Sequence, residues 1–407
     1  MRQYFLGIAL LITSVAYGQA SPAAIKCSSA VDGDGYLYVA GQTGSRADGR
    51  IADNFSEQVA QALEKVKTIV EASNLTMDHV VYVQVYLENI DNYSSLQSVF
   101  KKYFPTVPPA GAVLGVAKLP GSAVQINAVA VHDLNGRKAV IPPNYESYEL
   151  FSPGILTHDR LFVSAMQGRD LKSGRVMDDP ADQTDLALDG LNAVAEAAGL
   201  TMKHFVFVNP YLTNKIPTKV MNERYAHRFE FGNTPGRATI QVTSLPLQAQ
   251  IEYTGIAVRN INLRRAIRPK NMLPSPTASP CVFAGETLYC SAKSGFIPGP
   301  HGGVFGNTTA AQLRQTMRNQ LDNLQEADMD FSQLVSTTVY LDDLSDSGAF
   351  NKVYTEYFQG ALPAQTLLQQ IAPADRTPDT DGHYPDFEQM SLIAVKTPKT
   401  ALDKFCK

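Results

Sequence analysis

The chain has 407 residues, of which 44% are hydrophobic and 18% charged, and its formal net charge is −4. This length and composition are typical of a globular protein with roughly two to four hydrophobic cores, and they exclude a disordered or fibrous chain. The acidic balance and the lack of a long run of Lys or Arg argue against nucleic acid or an anionic membrane as a partner.

The N-terminal residues differ from the rest of the chain. Arg2 is followed by an apolar run over residues 5–15 and by a small-x-small cleavage pattern at residues 16–18 or 18–20, which together are the pattern of a signal peptide. We therefore expect residues 1–20 to be a signal peptide and the mature protein to be secreted or periplasmic. An uncleaved anchor is the alternative, but the run is too short to cross about 30 Å of hydrocarbon. No later run resembles it, so no membrane span is expected in the mature chain.

Several sequence patterns recur at intervals of roughly 125 residues, which is the signature of a repeat protein. Residues 71–79 (EASNLTMDH) recur as residues 196–204 (EAAGLTMKH), and a looser copy occupies residues 326–331. A second pattern, upstream of the first, also occurs at residues 36–40, 160–164 and 287–291. The chain is therefore predicted to contain three copies of one unit.

Within each copy the hydrophobic periodicity changes in a fixed order. Alternating apolar residues around a Gly/Asp turn predict a hairpin over residues 30–39. Leu63, Val66 and Val70 then follow helical spacing. A Val/Tyr-rich strand, a short helix such as residues 220–229 and two strands flanking a Leu-Pro pair complete the unit. The predicted fold class is α+β, with the order β-β-α-β-α-β-β.

The three units are predicted to occupy residues 22–134, 145–259 and 275–397. Residues 135–144 and 260–280 are rich in Pro, Arg and Lys without an apolar period, so they are interpreted as linkers. A sheet covered by helices on one face leaves its other face in need of a partner. We therefore expect the three sheets to pack together through their uncovered faces.

Four cysteines in an exported protein are candidates for disulfides. Cys281 and Cys290 flank a candidate turn, Ala284-Gly285-Glu286, and a hairpin there would place them on facing strands. Cys27 and Cys406 lie near the two ends of the chain and form a second candidate pair. Four inert, buried thiols are the alternative. The spacing does not indicate a metal site.

The end of the second unit carries a long signature. Residues 233–246 read NTPGRATIQVTSLP, and residues 249–258 read AQIEYTGIAV. This segment resembles the RidA/YjgF family of reactive-imine deaminases, also described as "endoribonuclease L-PSP"-like. The resemblance implies a chorismate-mutase-like fold in each unit. Family members are homotrimers with sites between neighbouring subunits, so a chain with three units looks like a monomeric pseudo-trimer.

The resemblance also implies a reaction, which is hydrolysis of a small imine or enamine to a 2-oxo acid and ammonia. An Arg fork binds the carboxylate of such a substrate in a bidentate way that Lys cannot copy. A Glu can orient and deprotonate water or transfer protons to the leaving nitrogen. Neither step requires a metal or an organic cofactor.

The second unit matches the family pattern at most site positions. Arg237 and Glu252 stand at the positions of the catalytic Arg and Glu. The resemblance further assigns substrate binding to four residues, namely Ser164, Asn222, Thr239 and Phe151. The second unit also departs from the pattern, because Ser-Ala-Met-Gln at residues 164–167 replaces the usual Ser-Gly-Gln.

The first unit departs from the pattern throughout. Gly111 replaces the Arg, Gln125 stands near the position of the Glu, Ala40 replaces the Ser and Gln97 replaces the Asn. We interpret this unit as structural.

The third unit is intermediate. Gln365 replaces the Arg and Gln389 the Glu, whereas Ser291 and Asn351 are retained. Because family sites combine neighbouring subunits, Ser291 or Asn351 is a candidate to complete a site whose Arg comes from the second unit. An insertion at residues 376–386 is a candidate to reshape or cover a cleft.

Two functions from different classes remain open at this point. The first is an exported imine or enamine deaminase. The second is a non-catalytic protein that binds a small carboxylate or serves as a scaffold, since two of its three sites are degenerate. An Arg and a Glu on neighbouring strands can also be no more than a structural ion pair. Ribonuclease activity is disfavoured by the acidic balance of the chain.

Overall fold

The computed structural model describes residues 27–143, 145, 150–170, 173–299, 302–371 and 376–405. The predicted signal peptide at residues 1–20 therefore lies outside the described residues, and so does the Cys27–Cys406 pair, because Cys406 is not among them. In the ranges given above, no helix is long and apolar enough to cross a membrane.

The first unit has the predicted order of elements. Its hairpin turns at Asp34 and Gly35, which both have positive φ (52° and 76°), a conformation that suits short polar residues and glycine. Asn54 caps the long helix by accepting a hydrogen bond from the Glu57 backbone N–H. The elements are β1 (Ala30–Gly33), β2 (Tyr36–Thr43), α1 (Phe55–Ala72), β3 (Val80–Leu87), α2 (Tyr93–Tyr103), β4 (Ala110–Gly115) and β5 (Val124–Val131).

The second unit repeats this order with a strand added in front. Its short helix begins at Thr218, directly after Pro217, and ends at Ala226, so it starts and ends earlier than the predicted residues 220–229. The elements are β6 (Lys138–Val140), β7 (Gly154–Leu156), β8 (Arg160–Gln167), α3 (Pro180–Ala197), β9 (Phe205–Leu212), α4 (Thr218–Ala226), β10 (Ile240–Gln241) and β11 (Ile251–Val258).

The third unit contains the predicted disulfide. Cys281 and Cys290 are directly opposed on the two strands of its first hairpin and are bonded to each other. The elements are β12 (Arg264–Ile267), β13 (Cys281–Ala284), β14 (Thr287–Ser294), β15 (Ile297–Gly299), β16 (Gly302–Val304), α5 (Thr309–Glu326), β17 (Leu334–Leu341), α6 (Ser347–Thr355), β18 (Ala364–Gln369), β19 (Glu388–Val395) and β20 (Lys399–Leu402).

Each unit forms a six-stranded sheet, and the sixth strand of each sheet comes from the segment that follows the preceding unit. β6 joins the sheet of the second unit and β12 that of the third. β20, which follows the third unit, joins β1 of the first unit and closes the ring. The predicted linkers therefore contain strands. These short strands cover edges that would otherwise present unpaired backbone groups.

The helices of each unit cover one face of its own sheet. Val66 of α1, Leu191 of α3 and Met317 of α5 are each fully buried in separate cores. The opposite sheet faces pack against one another in two further clusters that combine side chains from all three units. The expected packing of the uncovered faces is confirmed, and the chain is an intramolecular pseudo-trimer.

A buried arginine holds the three units together at one end of this interface. Nη2 of Arg160, in the second unit, donates to Oδ2 of Asp34 in the first unit (2.8 Å) and to Oγ1 of Thr287 in the third (2.8 Å). Its Nη1 donates to the Tyr289 hydroxyl (3.1 Å), and its guanidinium lies 4.4 Å from the centre of the Tyr36 ring. Only 1% of this side chain is exposed.

Candidate functional site

The strand registers align the three copies residue by residue. In each unit a tyrosine of the Val/Tyr-rich strand (β3, β9 or β17) faces the residue at the position of the family Glu: Tyr86 faces Gln125, Tyr211 faces Glu252, and Tyr340 faces Gln389. These registers agree with the sequence alignment, so the three copies can be compared at equivalent places.

Clefts form where neighbouring units meet. The 1–2 cleft, between the first and second units, has a volume of about 580 Å³. The 2–3 cleft measures about 310 Å³ and the 3–1 cleft about 560 Å³. The three positions equivalent to the family Arg are divided among them, with Gly111 in the 1–2 cleft, Arg237 in the 2–3 cleft and Gln365 in the 3–1 cleft.

Arg237 is held in the 2–3 cleft by helix α4 of its own unit. Its Nη1 donates to Oδ1 of Asn222 (2.8 Å), and its guanidinium lies 5.0 Å from the centre of the Tyr225 ring. Within the described part of the chain, Nε and Nη2 have no hydrogen-bond partner, and no carboxylate forms an ion pair with Arg237. Burial lowers the pKa of the guanidinium. The Arg fork is therefore oriented and free to bind a carboxylate.

Serine hydroxyls fix the boundary on either side of the second unit. Oγ of Ser291 accepts a hydrogen bond from the Arg237 backbone N–H (2.9 Å) and donates to the Ser279 carbonyl (2.6 Å). Ser164 does the same one unit earlier, because its Oγ accepts from the Gly111 backbone N–H (2.9 Å). Both hydroxyls hydrogen-bond to backbone groups across a unit boundary. They therefore fix the chain segment that carries the position equivalent to the family Arg.

The floor of the 2–3 cleft contains neutral polar groups. Nε2 of Gln389 donates to Oε1 of Gln370 (2.8 Å) and to the Thr239 carbonyl (3.3 Å). Oγ1 of Thr239 is buried without a protein partner among the described residues. Thr239 lines the same cleft as Arg237. Gln389 cannot serve as a general base, because a side-chain amide is not protonated at neutral pH.

Glu252 lies in the 1–2 cleft and not beside Arg237. Its side chain is fully buried, Oε2 accepts from Nε2 of Gln167 at 3.4 Å, and Oε1 has no partner in the described structure. Burial raises the pKa of this carboxyl to about 8, and the hydrogen bond from Gln167 opposes that increase. The group is therefore mostly protonated at pH 7.

The predicted pair of Arg237 and Glu252 is consequently not assembled in one cleft. In the sheet of the second unit β9 lies between β10, which follows Arg237, and β11, which carries Glu252. Arg237 is thereby presented to the third unit and Glu252 to the first. Nor do they form a structural ion pair among the described residues, since Arg237 and Glu252 line different clefts.

Comparison with known proteins finds one family three times along the chain. The model of the family described as "Endoribonuclease L-PSP" matches three times, at residues 18–132, 144–259 and 273–374. The chain belongs to this family. It is the RidA/YjgF family suggested by the signature of the second unit, and the matches support three tandem copies.

Two curated relatives each match about a quarter of the chain. "Protein MMF1, mitochondrial" from Saccharomyces cerevisiae is 36% identical over 110 residues, which cover 27% of this chain and 76% of the relative. A rat protein named "2-iminobutanoate/2-iminopropanoate deaminase" is 36% identical over 94 residues, covering 23% of this chain and 68% of the relative. The crystal structure of yeast Mmf1 matches with 34% identity and a TM-score of 0.26, covering 28% of this chain and 93% of that one.

The 1–2 cleft cannot hold the family Arg without rearrangement. A Cβ atom built on Gly111 would lie 2.6 Å from Cε1 of Phe151 and would overlap the Val83 carbonyl. Phe151 also packs edge-on against Phe100 at 5.3 Å. The predicted substrate-binding residue Phe151 therefore fills the space that an arginine would need, and this cleft keeps the Glu but not the Arg.

Two candidates from the third unit lie away from Arg237. Asn351 is exposed on α6 and does not line the 2–3 cleft, so only Ser291 meets the expectation of a neighbour beside Arg237. The insertion at residues 376–386 does not line that cleft either. Arg376 of this insertion binds Oδ1 of Asp342 at 2.7 Å, which holds the segment against its own unit.

Lys293 is a further residue of the 2–3 cleft that the family pattern did not identify. This residue lies on β14 and lines the 2–3 cleft together with Arg237. The strand registers place Gln42 and Met166 at the equivalent positions of the other units. The signal in the sequence was a charged residue in an otherwise uncharged strand, where the other two copies carry neutral side chains.

Proposed function

We propose that this chain is exported and binds a small carboxylate, such as a 2-oxo acid, in the 2–3 cleft. The observation that carries the proposal is the Arg237 guanidinium, which Asn222 and Tyr225 orient. Among the described residues, two of its nitrogens have no partner and no acidic residue lines the cleft. Export rests on the sequence of residues 1–20 alone. Cell fractionation and N-terminal sequencing of the mature chain would test it.

Replacement of Arg237 by Gln tests the carboxylate site, because Gln365 occupies the equivalent position in the third unit. We expect 2-oxobutanoate to raise the Tm of the wild-type chain and the variant to lose at least about tenfold in affinity, as charge-assisted hydrogen bonds contribute roughly 1.5–3 kcal/mol each. Thermal shift and isothermal titration calorimetry measure both quantities.

Arg175→Gln is the matched control, since Arg175 is 64% exposed and pairs with Asp178, away from the clefts. It should bind as the wild type does. Absence of any ligand effect in the wild type, or equal affinity in the Arg237 variant, would contradict the proposed site.

A second candidate function is hydrolytic deamination of small imines or enamines, giving a 2-oxo acid and ammonia. It is favoured by the relatives named 2-iminobutanoate/2-iminopropanoate deaminase and by the carboxylate-binding geometry of Arg237. The same cleft holds Gln389 where the family pattern has Glu. The general acid–base contribution, typically about 10²–10⁴-fold, is therefore expected to be missing from the 2–3 cleft.

Replacement of Gln389 by Glu is expected to speed ammonia release from an imine generated in situ by at least about tenfold. The new carboxyl would face the Gln370 and Thr239 oxygens that now accept from the Gln389 amide. Two acceptor oxygens favour its protonated form, whereas the Arg237 guanidinium in the same cleft favours the carboxylate. Equal rates for this variant, the wild type and buffer would argue against deamination and leave carboxylate binding as the supported function.

A further inference from the structure

The 2–3 cleft contains a second cation besides Arg237. Lys293 lines it from the third unit, after a change of register between Cys290 and Lys293 in the pairing of β14 with β19. Burial lowers the pKa of its ammonium group. The two cations come from different units, so the folded pseudo-trimer brings them to one cleft.

No acidic side chain among the described residues balances these two cations. The other residues that line the cleft are neutral, and no ion pair involves Lys293 or Arg237 within the ranges that the structure describes. Two like charges in a half-buried cleft repel each other, and their partial removal from water adds to the free-energy cost of keeping both charged. An anionic ligand that reaches both groups would offset both contributions.

We infer that the 2–3 cleft binds a small dicarboxylate, with one carboxylate on the Arg237 fork and the other on the Lys293 ammonium. The inference rests on the proposed carboxylate site at Arg237 and adds the class of ligand. Arg suits bidentate recognition of a planar carboxylate, and Lys supplies a compact charge with three donors. The volume of about 310 Å³ is at the small end for ligand pockets, which favours a small metabolite over a peptide.

Lys293 would then determine specificity. The equivalent residues Gln42 and Met166 cannot attract a second anion, so the preference belongs to the 2–3 cleft alone among the three aligned positions. Thr239 lines the same cleft, and its Oγ1, buried without a partner among the described residues, would donate to the oxo group of a 2-oxo diacid.

A matched pair of ligands tests this inference. 2-Oxoglutarate and 2-oxopentanoate share the 2-oxo acid end and differ in a terminal carboxylate or methyl group. We expect the wild-type chain to bind 2-oxoglutarate at least about tenfold more tightly, a difference of about 1.4 kcal/mol. Lys293→Gln should abolish this preference and leave the affinity for 2-oxopentanoate unchanged, as measured by isothermal titration calorimetry.

The controls separate this inference from the proposed function. Lys203→Gln, at an exposed lysine, should keep the preference, and Lys293→Met supplies a second variant with the residue found at position 166. Equal wild-type affinities for the two acids, with binding still dependent on Arg237, would overturn the dicarboxylate inference and keep the proposed function. A preference that survives in both Lys293 variants would overturn the inference as well. Failure of both acids to bind would overturn both.

Discussion

Replacement of Arg160 by Met is expected to destabilise the folded chain by roughly 3–5 kcal/mol, the range found when one partner of a buried ion pair is removed. The variant keeps the apolar stem but leaves Asp34 without its cation. Asp34 would keep the hydrogen bond that it accepts from the Thr287 hydroxyl (2.5 Å). Asp159 would lose its ion pair with the Arg160 guanidinium, whose Nε lies 3.3 Å away. Urea unfolding followed by circular dichroism and by tyrosine fluorescence measures the loss.

The position of Arg160 predicts a second effect on the same curves. Asp34 belongs to the first unit and Thr287 to the third, so the variant weakens contacts between units more than the core of any one unit. We expect the midpoints from the two probes to separate, because a chain whose units uncouple no longer unfolds in one cooperative step.

Two further variants make this result interpretable. Arg314→Met removes an exposed pair with Glu356 and should change the unfolding midpoint little, since exposed ion pairs contribute little to stability. Adding Asp34→Asn to Arg160→Met should recover part of the loss by removing the uncompensated carboxylate. A loss below about 1 kcal/mol in Arg160→Met, or no recovery in the double variant, would contradict the proposed role of Arg160.

The fold could be predicted from the sequence because its signals are local and occur three times. The helical spacing of Leu63, Val66 and Val70 corresponds to a buried face of α1, and the turn between Cys281 and Cys290 allows a disulfide. The strands in the predicted linkers could not be predicted, because β6 and β12 have three and four residues and include charged side chains. Pairing with a neighbouring unit, not their own periodicity, makes them strands.

The arrangement of the site was less predictable. Arg237 and Glu252 are close in sequence and both match the family pattern, but the order of strands in the sheet turns one toward the third unit and the other toward the first. No local pattern contains that information. Arg160 likewise belongs to a repeated strand pattern, and its role becomes visible only once the three units are placed around it.

The stability of the chain is expected to depend on pH through Glu252. Its carboxyl has a pKa of about 8 in the folded state, against an ordinary value of 4.5. Between these values the folded chain holds a proton that the unfolded chain has released, so the free energy of unfolding falls as pH rises. A tenfold change in proton affinity corresponds to about 1.4 kcal/mol. The expected loss between pH 5 and pH 9 is roughly 3–5 kcal/mol.

Glu252→Gln removes this titration while keeping the shape of the side chain and an oxygen for Gln167. We expect the variant and the wild type to unfold at similar urea concentrations at pH 5, with the variant more stable by roughly 3–5 kcal/mol at pH 9. Glu388 and Asp386 also have pKa values raised by burial. Because the wild type and the Glu252 variant both contain them, their effects cancel when the two free energies of unfolding are subtracted. Glu223→Gln, on the exposed side of α4, is the control and should follow the wild type at both pH values.

The same variant separates the two clefts. A carboxyl that is protonated in the 1–2 cleft cannot act as a base on a ligand held by Arg237 in the 2–3 cleft, so Glu252→Gln should leave the affinity for 2-oxo acids unchanged. A stability difference that stays constant from pH 5 to pH 9 would show that Glu252 is ionised in the folded chain. A loss of 2-oxo acid binding in this variant would instead require the two clefts to be coupled, for example through β9, which pairs with both β10 and β11.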